Sequence, residues 1–175
     1  MRAFWSSAWE IIEIVLISVV TVFLIRNFLA QPFLVSGASM EPTFYNHNYL
    51  IIDEVTYHFR APQRGEPIVF RYPNDPSVYF IKRIIGLPGD RVVVRDGKVT
   101  VYDISGKAIP VTGETNGYTD VKLGADQYFV LGDNRYNSFD SRNWGPVPKK
   151  DIIGLVRLRI FPISEFEVVK TPAIP

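Results

Sequence analysis

The sequence predicts a mainly β protein: an antiparallel β-sheet or barrel-like domain that follows one N-terminal transmembrane helix. Three observations support this fold class. An apolar stretch of 22 residues, 8–29, lies near the amino terminus. Residues 31–175 alternate short β-branched and aromatic runs with turn residues. No helical pattern longer than one or two turns follows the apolar stretch. We therefore divide the chain into an anchor, residues 1–30, and a β domain, residues 31–175.

The apolar stretch has the length and the flanks of a membrane anchor. Charged residues interrupt it only near its ends, at Glu10, Glu13 and Arg26. As a helix it would be about 33 Å long, enough to cross the apolar core of a bilayer. Aromatic residues flank it where the membrane interface is expected, namely Trp5, Trp9, Phe28 and Phe33. We predict a single-pass anchor in the plasma membrane.

Three other interpretations of this stretch are disfavoured. A buried core helix would show one apolar stripe, whereas this stretch is apolar all round. A cleaved signal peptide would end in a small-x-small site, but the bulky Phe28 lies two residues before Ala30, and the charged flank contains acids. An interfacial amphipathic helix would need a basic face, which is missing here.

The remaining residues are typical of short strands joined by turns. Residues 92–101 read VVVR-DG-KVTV, and the Asp96-Gly97 pair predicts a hairpin with a type I′ turn. Residues 103–126 are polar and contain glycine, which favours a loop or a small excursion. Five further strands are predicted from β-branched and aromatic composition: Asn48–Val55, Pro67–Tyr72, Val78–Ile85, Gln127–Leu131 and Ile152–Ile160.

The composition excludes several classes of function. The chain is 47% hydrophobic and 14% aromatic, which excludes a disordered chain. Its net charge of +1 gives no strong attraction to nucleic acid. Because the chain has no cysteine, thiol catalysis and disulfides are excluded. His47 and His58 lack ligand spacing, and the stretch after Asp133 lacks the central glycine and closing glutamate of a calcium loop. We predict no metal and no cofactor.

The first segment that carries chemical information is SGASMEPT, residues 36–43. Small residues before Ser39 leave the backbone open to a ligand. An exposed serine beside free backbone N–H groups is suited to act as a nucleophile with an oxyanion site. The alternative for this segment alone is an ordinary turn whose serine bonds its own backbone.

The second segment is YFIKRII, residues 79–85. In a strand, Lys82 shares one face with Phe80 and Ile84, while Arg83 lies on the other face. Burial on an apolar face disfavours the ammonium form and lowers the pKa of a lysine, as a lysine general base requires. The alternative is a lysine that reaches outward to solvent or guards an edge strand.

The third segment, residues 132–145, is dense in hydrogen-bonding side chains and follows an apolar strand directly. Ser138 is suited to orient a base. Asp140 and Arg142 are suited to brace the loop as an ion pair. A solvated loop is the alternative, although such a loop rarely combines paired opposite charges with a tryptophan and bracketing glycines.

Together, SGASMEPT, YFIKRIIGLPGD and GDNRYNSFDSRNWGPVP, in this order behind an apolar anchor, closely resemble the sequence boxes of type I (leader) signal peptidases of the bacterial kind. The resemblance covers essentially the whole chain. It implies a Ser-Lys serine protease that removes N-terminal signal peptides from exported preproteins through an acyl-enzyme. By this resemblance Ser39 is the nucleophile, Lys82 the general base and Ser138 the residue that positions the lysine. The resemblance assigns the bracing pair to Asp140 and Arg142, and places the charged Arg83 and Asp133 near the site.

The resemblance also implies a catalytic domain on the extracytoplasmic side, with preproteins and the lipid bilayer as partners. The substrate is expected to lie extended beside Phe33–Val35 and Tyr79–Ile81, with small residues at the first and third positions before the cut. Phe33, Val35 and Ile81 are the candidate pocket walls. Gly37 stands where some members of the family carry a hydroxyl. The Ser39 N–H is expected to be one oxyanion donor, with another backbone N–H as the candidate for the second.

Two other classes of protein are alternatives to a signal peptidase. A self-cleaving repressor with Ser-Lys chemistry would carry a DNA-binding module, and a hydrophobic stretch stands in its place. A non-catalytic, membrane-tethered β binding module would explain the fold, but it gives no reason for Lys82 on an apolar face.

Overall fold

The computed structural model describes residues 9–21 and 30–170 and contains two antiparallel sheets. The larger sheet contains β1 (Ala30–Leu34), β2 (Tyr49–Asp53), β3 (Pro67–Tyr72), β4 (Asp75–Gly86), β9 (Gln127–Leu131), β10 (Val147–Pro148), β11 (Ile152–Phe161) and β12 (Glu167–Val168). The smaller sheet contains β5 (Arg91–Arg95), β6 (Lys98–Tyr102), β7 (Ala108–Val111) and β8 (Thr119–Lys122). The prediction of a mainly antiparallel β fold is confirmed.

The order of strands decides which edges are free. The larger sheet runs β1-β2-β11-β3-β4-β9-β10, and β12 pairs with β11. Strand β4 pairs with β3 along much of its length but with β9 only from Arg83 onward. Within the part of the chain that the structure describes, the earlier half of β4 therefore has one free edge, and β1 at the end of the order has another. Short helical turns join the strands at Thr56–Phe59, Arg135–Asn137, Ser141–Trp144, Lys149–Asp151 and Ile163–Glu165.

Buried residues on the two faces of the larger sheet form separate clusters, because successive side chains of a strand point to opposite faces. Ile68 belongs to one cluster and Val69 to another. The cluster around Val69 also contains Met40 and Phe44, each only 1% exposed. These two side chains fix the segment that carries Ser39 to the core of the sheet.

The smaller sheet corrects the expectation for residues 103–126. This segment was predicted as a loop or a small excursion, but it contains β7 and β8, which pair with the two sides of the β5–β6 hairpin. The strand pattern is weak because each strand has only four residues and Pro110 lies in the edge strand β7. The hairpin itself was predicted correctly: Asp96 and Gly97 have φ values of 51° and 77°, as a type I′ turn requires.

The predicted anchor falls only partly within the described residues. Residues 9–21 are helical with exposed side chains, whereas residues 1–8 and 22–29 lie outside the described ranges. Of the helices within those ranges, none combines the length and the apolar character needed to cross a membrane.

Candidate active site

Ser39 lies in the turn that follows β1, and both ends of this turn are fixed by hydrogen bonds. The Val35 N–H donates to the Asn48 carbonyl at 2.9 Å, and the Gly37 N–H donates to Asn46 Oδ1 at 3.1 Å. Gly37 has a φ of +96°, a conformation that favours glycine. No residue within the described ranges accepts a hydrogen bond from the Ser39 N–H. That N–H is therefore available to a ligand.

Lys82 projects from β4 toward this turn. Its Nζ lies 2.7 Å from Ser39 Oγ, and it donates to the Ile81 carbonyl at 2.9 Å. The amine also lies 5.3 Å from the centroid of the Phe80 ring. Although Lys82 is a charged residue type, it is only 3% exposed. The structure thus brings together the two residues that the sequence selected from segments 43 positions apart.

Burial sets the protonation of this amine. Loss of solvation lowers the pKa of Lys82 from its ordinary 10.5 to about 8, while the carboxylates of Asp140 and Asp133 act in the opposite direction. With such a pKa, roughly a tenth of the amine is neutral at pH 7. A neutral amine within hydrogen-bonding distance of a serine hydroxyl is suited to take its proton.

Arg83, the next residue along β4, holds the third segment in place. Its Nε and Nη2 donate to the two oxygens of Asp133 at 2.7 and 2.6 Å, and its Nη1 donates to the Gly65 carbonyl at 2.7 Å. Thr43 donates to the same carboxylate at 2.6 Å. Strand β4 therefore presents Lys82 on one face and an ion pair that fixes the loop after β9 on the other.

Asp140 and Arg142 form the ion pair expected from the sequence. Arg142 Nε and Nη2 donate to the Asp140 oxygens at 2.8 and 2.9 Å, and Asp140 is fully buried. The same carboxylate accepts from the Gly132 N–H at 3.1 Å and from the Arg142 N–H at 3.3 Å. It also caps the short helix Ser141–Trp144, so one side chain shapes the whole loop.

The expected contact between Ser138 and Lys82 is not formed. Ser138 Oγ is buried without a hydrogen-bond partner among the described atoms. It faces Gly132 instead, where an added Cβ would collide with it. The polar contacts of Lys82 Nζ are with Ser39 Oγ and the Ile81 carbonyl.

A cleft of about 360 Å³ opens beside Ser39 and Lys82. The predicted pocket residues Phe33, Val35 and Ile81 all line it. The rings of Phe33 and Tyr79 lie 5.7 Å apart, so β1 and the free part of β4 approach each other here although three strands separate them in the sheet. The cleft is thus bounded by two strand edges that have no partner strand among residues 9–21 and 30–170, and it ends at the Ser39–Lys82 pair.

Sequence reasoning did not identify several residues of the site. Asn137 and Phe139 line the cleft. Asn134 donates from its backbone N–H to the Ser39 carbonyl at 3.1 Å. Thr115 and Asn116, from the segment read as a loop, bond Arg135 and Arg142. The sequence offered one signal for Asn134, Asn137 and Phe139, namely their position within the third segment. It offered none for Thr115 and Asn116. In the parts of the chain that the structure describes, no three His, Asp or Glu side chains are grouped as metal ligands would be.

Comparison with known proteins shows the family of the chain. Residues 8–161 match the family described as signal peptidase, peptidase S26. The probable signal peptidase I-2 of Synechocystis sp. is 44% identical over 149 residues, which cover 79% of this chain and 66% of that protein. Signal peptidase I P of Bacillus subtilis subsp. natto is 33% identical over 94% of this chain and 95% of its own length.

A crystal structure of a signal peptidase I from Enterococcus faecalis is 26% identical and has a TM-score of 0.46, covering 55% of this chain and 97% of that chain. On the family match and the sequence relatives, the chain belongs to the S26 signal peptidase family. The family resemblance inferred from the three sequence segments is thereby confirmed.

Proposed function

We propose that this chain is a membrane-bound signal peptidase I, a serine endopeptidase that removes N-terminal signal peptides from exported preproteins with Ser39 and Lys82 as its catalytic dyad. The observation that carries the proposal is the 2.7 Å separation of Lys82 Nζ and Ser39 Oγ, with the lysine only 3% exposed. Family membership supplies the class of reaction.

The first half of the reaction forms the acyl-enzyme. Neutral Lys82 takes the proton of the Ser39 hydroxyl as Oγ attacks the scissile carbonyl carbon. The oxyanion of the tetrahedral intermediate accepts a hydrogen bond from the Ser39 N–H, which has no other acceptor among the described residues. The C–N bond then breaks, and the Lys82 ammonium gives its proton to the leaving amine of the mature protein. An ester between the signal peptide and Ser39 remains.

The second half of the reaction uses the same amine. Lys82, neutral again, removes a proton from a water that attacks the ester carbonyl. When the second tetrahedral intermediate collapses, the Ser39 Oγ leaves and recovers the proton from Lys82. The signal peptide is released as a carboxylic acid that loses its proton to water, and the dyad returns to its starting state.

The cleft explains how a preprotein could be held for this chemistry. An extended chain between β1 and the early part of β4 would pair its backbone with two strand edges. Its alternate side chains would then face Phe33, Val35 and Ile81, which line the cleft beside Ser39. In this proposal, these three apolar side chains restrict the space for substrate side chains near Ser39. This arrangement favours small residues at the first and third positions before the cut.

Three further residues support the dyad in this proposal. Asp140 and Arg142 fix the loop that contacts the Ser39 turn. Ser138 keeps its proposed supporting role because its buried hydroxyl lacks a partner and lies beside the same turn. We expect the Ser138 hydroxyl to form a hydrogen bond with Lys82 in the acyl-enzyme, where Ser39 Oγ is esterified and no longer bonds the amine.

We also propose that residues 1–30 anchor the enzyme in the plasma membrane with the catalytic domain on the extracytoplasmic side. The apolar stretch 8–29 supports this proposal, and members of the family are membrane-associated. Confinement of enzyme and inserted preprotein to one surface would raise their effective concentration.

The test is cleavage of a preprotein with an Ala-x-Ala site by the full-length chain in detergent. We expect one cut after the second alanine, identified by sequencing the amino terminus of the product. Ser39→Ala should abolish cleavage without unfolding the domain. Ser105→Ala, which alters an exposed serine bonded to Asp103, is the matched control and should cleave normally. Equal cleavage by Ser39→Ala would refute the dyad. A non-catalytic binding module, the competing possibility, would retain the preprotein uncut.

A further inference from the structure

The loop that joins β7 to β8 in the smaller sheet contacts the third segment of the active site. Thr115 in this loop is completely buried. Its N–H donates to the Gly97 carbonyl at 2.9 Å, which fixes the loop to the turn of the β5–β6 hairpin. Its hydroxyl accepts from Arg135 Nη1 at 2.8 Å. The loop is therefore a fixed part of the smaller sheet on the side that faces the active site.

Asn116, the next residue, completes the hydrogen bonding of Arg142. A guanidinium has five N–H donors. In Arg142, Nε and one Nη2 hydrogen serve Asp140, and Nη2 also donates to the Arg135 carbonyl at 2.7 Å. Nη1 donates to the Asn116 carbonyl at 3.1 Å and to Asn116 Oδ1. Asn116 thus receives both Nη1 hydrogens and orients the guanidinium from the side opposite Asp140.

A short series of contacts leads from Asn116 to the nucleophile. Arg142 holds the Asp140 carboxylate, which accepts from the Gly132 N–H at 3.1 Å. Gly132 in turn lies against the Ser39 carbonyl, which a Cβ on Gly132 would approach to 2.5 Å. The loop after Gly132 also bonds that carbonyl through the Asn134 N–H.

From this geometry we infer that Asn116 is a positioning residue of the active site, which acts through Arg142 and Asp140 on the Ser39–Lys82 pair. The inference rests on the proposed catalytic roles of that pair. The smaller sheet then has a role in the reaction. Through its β7–β8 loop, it holds the loop after β9 at a fixed position relative to Ser39.

The contacts of Arg142 also affect the charges around the Lys82 amine. Two carboxylates act on the Lys82 amine, those of Asp140 and Asp133, and both favour its charged form. Each is paired with an arginine, Arg142 and Arg83 respectively. Arg135, which Thr115 bonds, is the remaining charged side chain of the loop. Without Asn116 Oδ1, Nη1 of Arg142 keeps only the Asn116 backbone carbonyl as an acceptor, so the guanidinium is held less firmly against Asp140. A carboxylate that is neutralised less raises the pKa of Lys82.

The test compares three variants of the full-length enzyme on one preprotein. Asn116→Ala removes the Oδ1 acceptor, and we expect kcat to fall about tenfold at pH 7 with KM unchanged. The rise of kcat with pH should move upward by roughly half a pH unit, so that part of the activity returns at high pH. Asn116→Gln keeps a neutral amide acceptor for Arg142 and should restore both kcat and the pH profile.

Glu114→Ala is the control in the same loop. Its carboxylate accepts from the exposed Tyr136 hydroxyl at 2.9 Å and does not contact Arg142. We expect its kcat and pH profile to match the parent enzyme.

The inference is overturned if Asn116→Ala keeps the parental kcat, or if kcat falls with the melting temperature while the pH profile stays in place. The second result would show a merely structural role. Should Asn116→Ala not fold, Thr115→Val tests the same loop through Arg135, and an unmoved pH profile there has the same meaning. An inactive parent enzyme would instead refute the proposed function.

Discussion

Lys82 Nζ and Ser39 Oγ lie 2.7 Å apart, and only 3% of the surface of Lys82 is exposed to solvent. Two neighbours in β4 thus have opposite electrostatic environments. Lys82 reaches carboxylates only at a distance, whereas Arg83 is bound to Asp133 through two nitrogens. The amine can lose its proton near neutral pH because burial lowers the pKa of Lys82 to about 8.

The rate of cleavage should depend on pH through Lys82. Because burial lowers the pKa of Lys82 to about 8, the neutral base becomes scarce below that pH. We expect kcat to fall about tenfold for each pH unit below the pKa and to level off above it. The measurement is kcat between pH 5 and 10 on a preprotein without titratable residues near its cut. A rate that remains constant down to pH 6 would exclude a lysine base.

The same pKa makes Lys82 a source of instability. Below about pH 8 the amine is charged in both the folded and the unfolded chain, so the full cost of burying the charge falls on the folded state. Between about 8 and 10.5 the unfolded chain binds more protons, and the free energy of unfolding rises with pH. We therefore expect Lys82→Met to be more stable than the parent at pH 7, by up to about 3 kcal/mol.

Urea unfolding of both proteins at pH 7 and pH 10.5 checks this prediction. The advantage of Lys82→Met should shrink at the higher pH. Lys170→Met, a lysine outside the buried network, is the control and should give no pH-dependent difference. A variant less stable than the parent at both pH values would show that the amine is not buried as a charge.

Gly132 should tolerate no side chain. A Cβ there would lie 2.5 Å from the Ser39 carbonyl oxygen and would collide with Ser138 Oγ, and the carbonyl cannot move without moving the nucleophile. We expect Gly132→Ala to lower kcat/KM at least about a hundredfold, because a shift of about 1 Å at the nucleophile has an effect of that size. The measurement is steady-state cleavage of the preprotein.

Gly124→Ala is the matched control for this substitution. Its Cβ would lie 3.2 Å from Gln127 Oε1, the end of a flexible side chain that can move aside. This variant should cleave like the parent. Equal activity of Gly132→Ala and Gly124→Ala would mean that the loop after β9 does not determine the position of Ser39.

Ile81 should limit the size of the residue accepted before the cut. It is half-buried and lines the cleft between β1 and β4. We expect Ile81→Ala to raise the cleavage of preproteins with valine or leucine in place of a small residue by about tenfold relative to alanine. Competition between paired preproteins gives the ratio of kcat/KM directly. Val78→Ala changes an exposed residue of the same strand and should leave that ratio unaltered.

The sequence predicts the strands of the larger sheet well because their apolar residues are continuous. Strands β3 and β9 begin and end at the predicted residues, and the Asp96-Gly97 turn adopts the expected conformation. Strands β7 and β8 were missed because their buried residues are few. In β8 the pattern TDVK offers only one apolar side chain, Val121, and the pairing with β5 supplies the rest of its stability.

In the candidate site, too, some residues could be predicted from the sequence and others could not. Ser39 and Lys82 were identified by the resemblance of the three segments together to the signal peptidase family, since each segment alone also fits an ordinary turn or a lysine that reaches solvent. Asn116 was not identified, because the segment from Gly113 to Gly117 has the composition of an ordinary turn. Its bond with Arg142 spans 26 positions, and only the pairing of β5 with β6 and β8 brings that turn to the loop. Long-range placement of this kind leaves no trace in a local pattern.

The crowded carboxylate of Asp140 restricts how this enzyme can be altered. One side chain caps a helix, pairs with an arginine and holds the backbone of Gly132, so a replacement that suits one of these neighbours deprives the others. Laboratory evolution toward new cleavage motifs should therefore find few viable mutants in the loop after β9. The cleft walls formed by β1 and β4 do not contact Asp140, so a library of variants at these positions should contain more active enzymes.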